Sequence, residues 1–176
     1  GKDNLSSIFG VEGGFLVRVG DSDRTPNQLQ LVNPAGAFPA PNAVPGLPVN
    51  EWVHIALVYD TTTGDRIYYI NGKPVAADTN ASGKVSLANG CYIGKSWNDD
   101  RWLNGEIAEL RVWNVQRTQE EIAGNQYSVS PKTPGLVAYW KFNEGNGSLI
   151  KDYSVYENNV TGTNSPKWVS VELPEN

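Results

Sequence analysis

Six tryptophans and eight tyrosines in 176 residues are more aromatic surface than a core of short strands needs. Two of the tryptophans, Trp97 and Trp102, flank Asn98-Asp99-Asp100-Arg101 in a segment with no strand pattern. Flat apolar faces beside planar polar groups suit a sugar, whose C–H face stacks on an exposed indole while amide, carboxylate and guanidinium groups bond its hydroxyls. Trp97, Asn98, Asp99, Asp100, Arg101 and Trp102 are therefore the candidate ligand-binding set. The plain alternative is that both indoles fold back and plug one end of the fold. Trp52, Trp113 and Trp140 lie inside strand-like runs and are expected in the core.

Catalytic chemistry finds less support. Hydrolysis of a glycosidic bond needs two carboxylates on one face, and Glu106 and Glu109, three apart in a strand-like run, point to opposite faces unless a bulge intervenes. A rim carboxylate at Glu106 and a half-buried Glu109 paired with Arg111 is the default expectation. His54 is the only histidine, which excludes a histidine-rich metal site, and its place in an apolar run makes it a core histidine rather than a base. The single cysteine, Cys91, reads as a small buried hydrophobe and excludes an internal disulfide or a multi-cysteine metal site. Glu144-Gly145-Asn146-Gly147 lacks the following helix and Lys-Ser/Thr pair of a phosphate loop and reads as a turn. Calcium is the one metal the loops suit, through Asn98-Asp99-Asp100 or Asp152 with Glu157-Asn158-Asn159; turns are also made of these residue types, and no ligand set is assigned.

The elements that must position these residues are strands. Gly, Pro and Asn account for 47 residues and Met is absent, an all-β profile. Phe15 to Val19 and Gln28 to Val32 read as two strands of a half-solvated sheet, and 35–48 as a proline-rich loop. Trp52 to Tyr59 is apolar on both faces, which predicts a central strand covered on two sides. Arg66 to Ile70 and Lys73 to Val75 flank Asn71-Gly72, a type I′ hairpin signal. Further strands are expected at Lys84 to Leu87, Cys91 to Gly94, Gly105 to Asn114 and Leu136 to Phe142, before an irregular tail that includes Trp168. Thr118 with Glu121 forms a capping box for the only helix, closed by Gly124.

Three stretches carry a family resemblance. Asn50-Glu51-Trp52-Val53-His54-Ile55-Ala56-Leu57-Val58-Tyr59-Asp60 runs on to Tyr69-Ile70-Asn71-Gly72-Lys73-Pro74-Val75. Tyr92-Ile93-Gly94 precedes Leu103-Asn104-Gly105-Glu106-Ile107-Ala108-Glu109-Leu110-Arg111-Val112-Trp113-Asn114, with Arg117-Thr118 and Glu121-Ile122 after it. Gly135-Leu136-Val137-Ala138-Tyr139-Trp140-Lys141-Phe142-Asn143-Glu144-Gly145-Asn146-Gly147 is followed by Asp152-Tyr153-Ser154. Together, over roughly residues 50 to 160, they resemble the concanavalin A-like superfamily, specifically the laminin-G-like jelly rolls of bacterial surface and secreted proteins.

The resemblance implies an all-β, two-sheet antiparallel jelly-roll sandwich with one short helix, a single domain over 1–176. The strand with a Phe-Thr and a Trp that usually opens such domains has no match before Ser7, so the first strand is either missing or replaced by another segment. Glucan-cleaving enzymes of the superfamily carry an acid-x-acid arrangement on one strand, and no Glu here is followed two positions later by Asp. The implied function is a non-catalytic carbohydrate-binding or adhesion module, extracellular or on a bacterial cell surface, flanked by other domains in a longer chain. A structural spacer or protein-interaction domain is the alternative, and a glycoside hydrolase the third reading. The partner is a glycan or polysaccharide. A net charge of −5 with no basic cluster argues against nucleic acid, and no run nears 18 apolar residues, so membrane insertion is not expected.

Overall fold

The computed structural model describes residues 5–20, 26–34, 36–38, 43–79, 90–96, 101–163 and 166–173. They fall in two units, Gly1–Gly105 and Glu106–Asn176.

In the first unit, β1 (Ser6–Val11), β2 (Phe15–Val19), β3 (Leu29–Asn33), β4 (Gly36–Phe38) and β8 (Tyr92–Ile93) form one sheet in the order β4-β3-β2-β1-β8. β5 (Ile55–Tyr59), β6 (Arg66–Ile70) and β7 (Lys73–Asp78) form a second, sequential sheet. All pairings are antiparallel. Residues opposite one another across paired strands share a face, and Val17↔Leu31 and Val19↔Leu29 set the inner face of the first sheet. Leu29, Leu31, Val44 and Tyr68 make the buried centre. Ile8, Phe15, Val17 and Val19 close around it from the first sheet, and Ile55, Leu57, Tyr59, Ile70, Val75 and Ala76 from the second. This is the face-to-face packing of a sandwich, with open sheet edges. Burial holds the Tyr68 phenol well above its ordinary pKa, and Asp78 adds to the effect.

Gly10 marks the tightest point of the first sheet. Its φ is +126°, and a Cβ there would stand 2.0 Å from the Phe15 carbonyl oxygen, so no side chain fits. At the other sheet Asn71 and Gly72 both take positive φ, 48° and 71°, as a type I′ turn requires. The Asn71 side chain also accepts a bond from the His54 N–H at 3.0 Å.

In the second unit, β9 (Leu110–Trp113) pairs with β10 (Leu136–Trp140), and β11 (Leu149–Ile150) pairs with β12 (Val160–Thr161). The helix α1 (Gln119–Gly124) follows β9, with both bonds of the Thr118–Glu121 capping box made. Asp152, 1% exposed, ties the unit together. Its carboxylate accepts the backbone N–H of Tyr139, Ser154 and Asn158, each at 2.8 Å, and the Ser154 hydroxyl at 2.9 Å. Burial alone pushes its pKa up, but these four bonds together outweigh it and hold the carboxyl below its usual value.

Several sequence expectations need correction. The alternation at 28–32 does not mark a half-solvated sheet, because Gln28 and Gln30 are fully buried. Gly36–Phe38 is a short strand rather than loop, since no proline interrupts those three residues. The run from Trp52 narrows to Ile55–Tyr59, which ends its sheet; all five of its residues are partly exposed and Trp52 is 46% exposed. The expected strand from Gly105 begins only at Leu110, because Glu109 takes φ +57°, and Phe142 at φ +58° stops β10 after Trp140. Gly124 is the last helical residue, with Asn125 as C-cap. Cys91 is exposed rather than buried, and Trp113 is only partly buried, while Trp140 is in the core. The expected strand at 84–87 lies outside the described residues.

Two measurements test this account. Gly10→Ala should cost about 3 kcal/mol or more in urea unfolding, since backbone must move, whereas Gly13→Ala, at φ +75° with open space around its Cβ position, should cost only about 1 kcal/mol; equal costs would mean that β1 and β2 do not approach so closely at Gly10. Because the folded pKa of Asp152 lies below the unfolded value of about 4, its contribution is complete above that value and is lost as pH falls through the folded one. Asp152→Asn should cost about 2 to 4 kcal/mol at pH 7 and flatten the loss of melting temperature on acidification below about pH 4; an unchanged acid profile would show that Asp152 does not carry it.

Candidate functional site

The outer face of the first sheet carries a row of polar residues. Ser7↔Arg18 and Arg18↔Gln30 are cross-strand partners, one step out of phase with the core valines, so the three side chains share the face turned away from the core. All are buried, Ser7 and Gln30 completely. Arg18 Nε donates to Gln30 Oε1 at 2.9 Å. Glu12, just past the end of β1, is where the row converges. Its Oε1 accepts Arg101 Nη1 at 2.6 Å and Ser96 Oγ at 3.3 Å, and lies 4.0 Å from Arg18 Nη1. The Ser7 and Ser96 hydroxyls are 2.6 Å apart. Buried polar groups are as a rule bonded in this way; among the described residues Gln30 Nε2 is one buried donor without a partner.

This network grips both stems of the segment from Ser96 to Trp102. Ser96 and the Arg101 guanidinium meet on Glu12. Ser7 N–H bonds the Arg101 carbonyl at 3.1 Å, Gly94 N–H the Ile8 carbonyl at 2.9 Å, and Leu103 N–H the Gly94 carbonyl at 2.8 Å. Arg101 itself sits at φ +58°, a conformation that costs a non-glycine residue of order 1 kcal/mol and that the surrounding bonds enforce. Beyond the stems stand two open aromatics, Trp102 at 39% exposure and Tyr92 at 50%. Lys95 Nζ lies 4.6 Å from the Tyr92 ring centre and 5.3 Å from that of Trp102, so one ammonium is shared between the two rings. Open ring faces next to a held cation can stack a saccharide and bond its hydroxyls.

Of the six sequence-predicted residues, Trp97, Asn98, Asp99 and Asp100 lie outside the described residues. Trp102 is exposed, so it does not plug the fold. Arg101 is drawn to Glu12. Sequence reasoning missed Glu12, Tyr92 and Lys95 as site residues, and Ser7, Arg18 and Gln30 as their support. The signal within reach was the Gln-Leu-Gln-Leu alternation at 28–31 beside the Val-Arg-Val of β2.

The other candidates resolve structurally. Glu109 pairs with Arg111 as expected, Oε2 to Nη2 at 2.6 Å, and the same oxygen accepts the Tyr139 hydroxyl; Glu106 is exposed. Burial, then the bond to Glu109 and its charge, push the Tyr139 pKa up to about 12. Arg111 Nη1 also caps the helix end through the Asn125 carbonyl at 2.6 Å. Asp152 fails as a calcium ligand, because four donors already point protons at its carboxylate. Among the described residues no three His, Cys, Asp or Glu side chains gather as a metal site. No helix among them is long and apolar enough to cross a membrane. An open pocket of about 380 Å³ lies between Gly147, Ser148, Pro166 and Trp168, with the Trp168 indole N–H bonded to the Gly147 carbonyl at 3.0 Å.

Comparison with curated proteins finds no match. Among solved structures, the chain is similar to a candidate carbohydrate-binding protein from Bacteroides ovatus, with 27% identity and a TM-score of 0.75 over 92% of this chain and 50% of that one. The chain thus spans about half the length of that protein. The family description that matches residues 2–123 is that of a laminin-G-type domain in the concanavalin A-like lectin/glucanases superfamily, and with that share of its length matched, the chain belongs to this superfamily.

Proposed function

We propose that this chain is a non-catalytic carbohydrate-binding module, with an adhesive role, of a bacterial surface or secreted protein, and that residues 1–176 act as one domain within a longer chain. The observation that carries the reading is the pair of open rings, Tyr92 and Trp102, sharing the Lys95 ammonium beside a loop whose two stems are bonded to the sheet. The superfamily and the Bacteroides ovatus neighbour support the ligand class. Fold alone does not assign it, which is why the rings matter. Glu109, the better placed of the two carboxylates considered for hydrolysis, is held by Arg111 and Tyr139, which favours binding over catalysis.

In this reading Trp97, Trp102 and Tyr92 stack on sugar rings, Lys95 and the segment Asn98, Asp99 and Asp100 bond hydroxyls, and Arg101 with Glu12 holds the loop in place. Stacking on one exposed ring contributes on the order of 1 kcal/mol beyond its area, so binding to a single sugar should be near millimolar.

A glycan array on the intact chain tests this. Consistent binding to one glycan class is expected, with Trp102→Ala and Tyr92→Ala each weakening it about fivefold at an unchanged melting temperature. Glu12→Gln should behave differently, lowering stability by about 1 to 3 kcal/mol as well as affinity, because both stems are released. A blank array, or ring variants that lose nothing, would leave the spacer or protein-interaction reading in its place.

A further inference from the structure

The second unit places two lysines opposite each other across paired strands. Trp140 and Asp152 form an antiparallel bridge, and Tyr153 N–H bonds the Tyr139 carbonyl at 2.8 Å. Carried one residue along, that register sets Lys141 directly opposite Lys151, and Tyr139 opposite Tyr153. The side chains agree: the tyrosine rings are 6.3 Å apart, and the two ammonium groups each lie 5.0 Å from the Tyr153 ring centre. Lys141 Nζ is also 5.3 Å from the Tyr139 ring. Like charges facing each other across two strands are destabilising.

Among the described residues, nearby carboxylates are engaged elsewhere and form no ion pair with either lysine. Glu144 Oε1 accepts the backbone N–H of Lys151 at 2.9 Å, not its ammonium. Glu109 is bonded to Arg111 and Tyr139, and Asp152 is enclosed by its four donors. Neither lysine is ion-paired to a carboxylate among the described residues. On a chain of net charge −5, these are two ammonium groups without an ion pair among the described residues, beside the exposed Asn143 and with Lys151 exposed; Asn143 accepts the Tyr153 hydroxyl at 3.2 Å.

We propose that Lys141 and Lys151, with Tyr153 and Asn143, form a second binding site, for an acidic polysaccharide bearing carboxylate or sulfate groups. That the anion is a polysaccharide rests on the carbohydrate-binding reading above; the site itself does not. A shallow patch of two point charges has no enclosure to hold a small anion, and one exposed ion pair is weak. A chain of repeated charges gains by engaging both lysines at once and by rebinding along its length.

The test uses the intact chain in affinity electrophoresis and calorimetry against polygalacturonate, dextran sulfate and neutral dextran, at about 20 mM and about 500 mM salt. Retardation by an acidic polymer at low salt, lost at high salt and absent with neutral dextran, is expected. Lys141→Gln and Lys151→Gln should each weaken it about three- to fivefold and the double variant about tenfold or more, while Lys132→Gln leaves it unchanged. The double variant removes the facing charges and also three ammonium–ring contacts, so it should melt close to the parent. Binding to polygalacturonate alone makes the ligand carboxylated, and to dextran sulfate alone sulfated. Failure of every acidic polymer, or equal binding by the double variant, overturns the site. A blank glycan array with acidic-polymer binding intact would overturn the Tyr92–Trp102 reading and leave this one standing.

Discussion

The Glu12 carboxylate is the interaction on which the first unit's outer face depends. A sheet with an apolar core on one side can leave its other side to water, but here that side carries Ser7, Arg18 and Gln30 out of solvent. Burying a guanidinium and a primary amide is costly unless their bonds are made. One oxygen of Glu12 meets that need for Arg101 and Ser96 and stands within ion-pair range of Arg18. Charge-assisted bonds of this kind are about twice as strong as neutral ones and directional, so the carboxylate also sets where the chain enters and leaves the loop at 96–102. Packing and site geometry are thus decided by the same residue.

The second unit reaches order by another route. Its strands are two to five residues long, too short to be stable as ladders alone. Side-chain to backbone bonds take over: Asp152 gathers three backbone N–H groups from two segments, Asn159 Oδ1 accepts the Asp152 N–H at 2.9 Å, and Arg111 closes the helix end. Two residues in left-handed conformations, Glu109 and Phe142, stop the strands where these anchors begin. Carboxylates that look available for chemistry in the sequence are therefore committed to folding.

This division explains what could be read in advance. The Asn71-Gly72 turn, the Thr118–Glu121 capping box and the strand Phe15–Val19 rest on chemistry within a few residues, and each stands as expected. The Glu109–Arg111 pair is two residues apart and was also within reach. Alternation, by contrast, tells which residues share a face but not what covers it, so Gln30 and Arg18 read as solvated and are buried. Glu12 carried no signal at all because Ser96 and Arg101 lie 84 and 89 residues away. The same blindness applied to Trp52, whose apolar neighbours implied two-sided burial; the strand starts three residues later and the indole is left open.

Placing rigidity in the stems has a consequence for recognition. Glu12, Ser7 and Ser96 spend their hydrogen-bonding capacity on one another and on Arg101, which leaves them little to offer a ligand. In the proposed reading, contact then falls to the rings of Tyr92 and Trp102 and the Lys95 ammonium they share. In that same reading, stems anchored this firmly lose little entropy when a sugar stacks on Tyr92 and Trp102, so more of a weak interaction survives as affinity. The left-handed backbone at Arg101 is the strain that fixing the second stem requires.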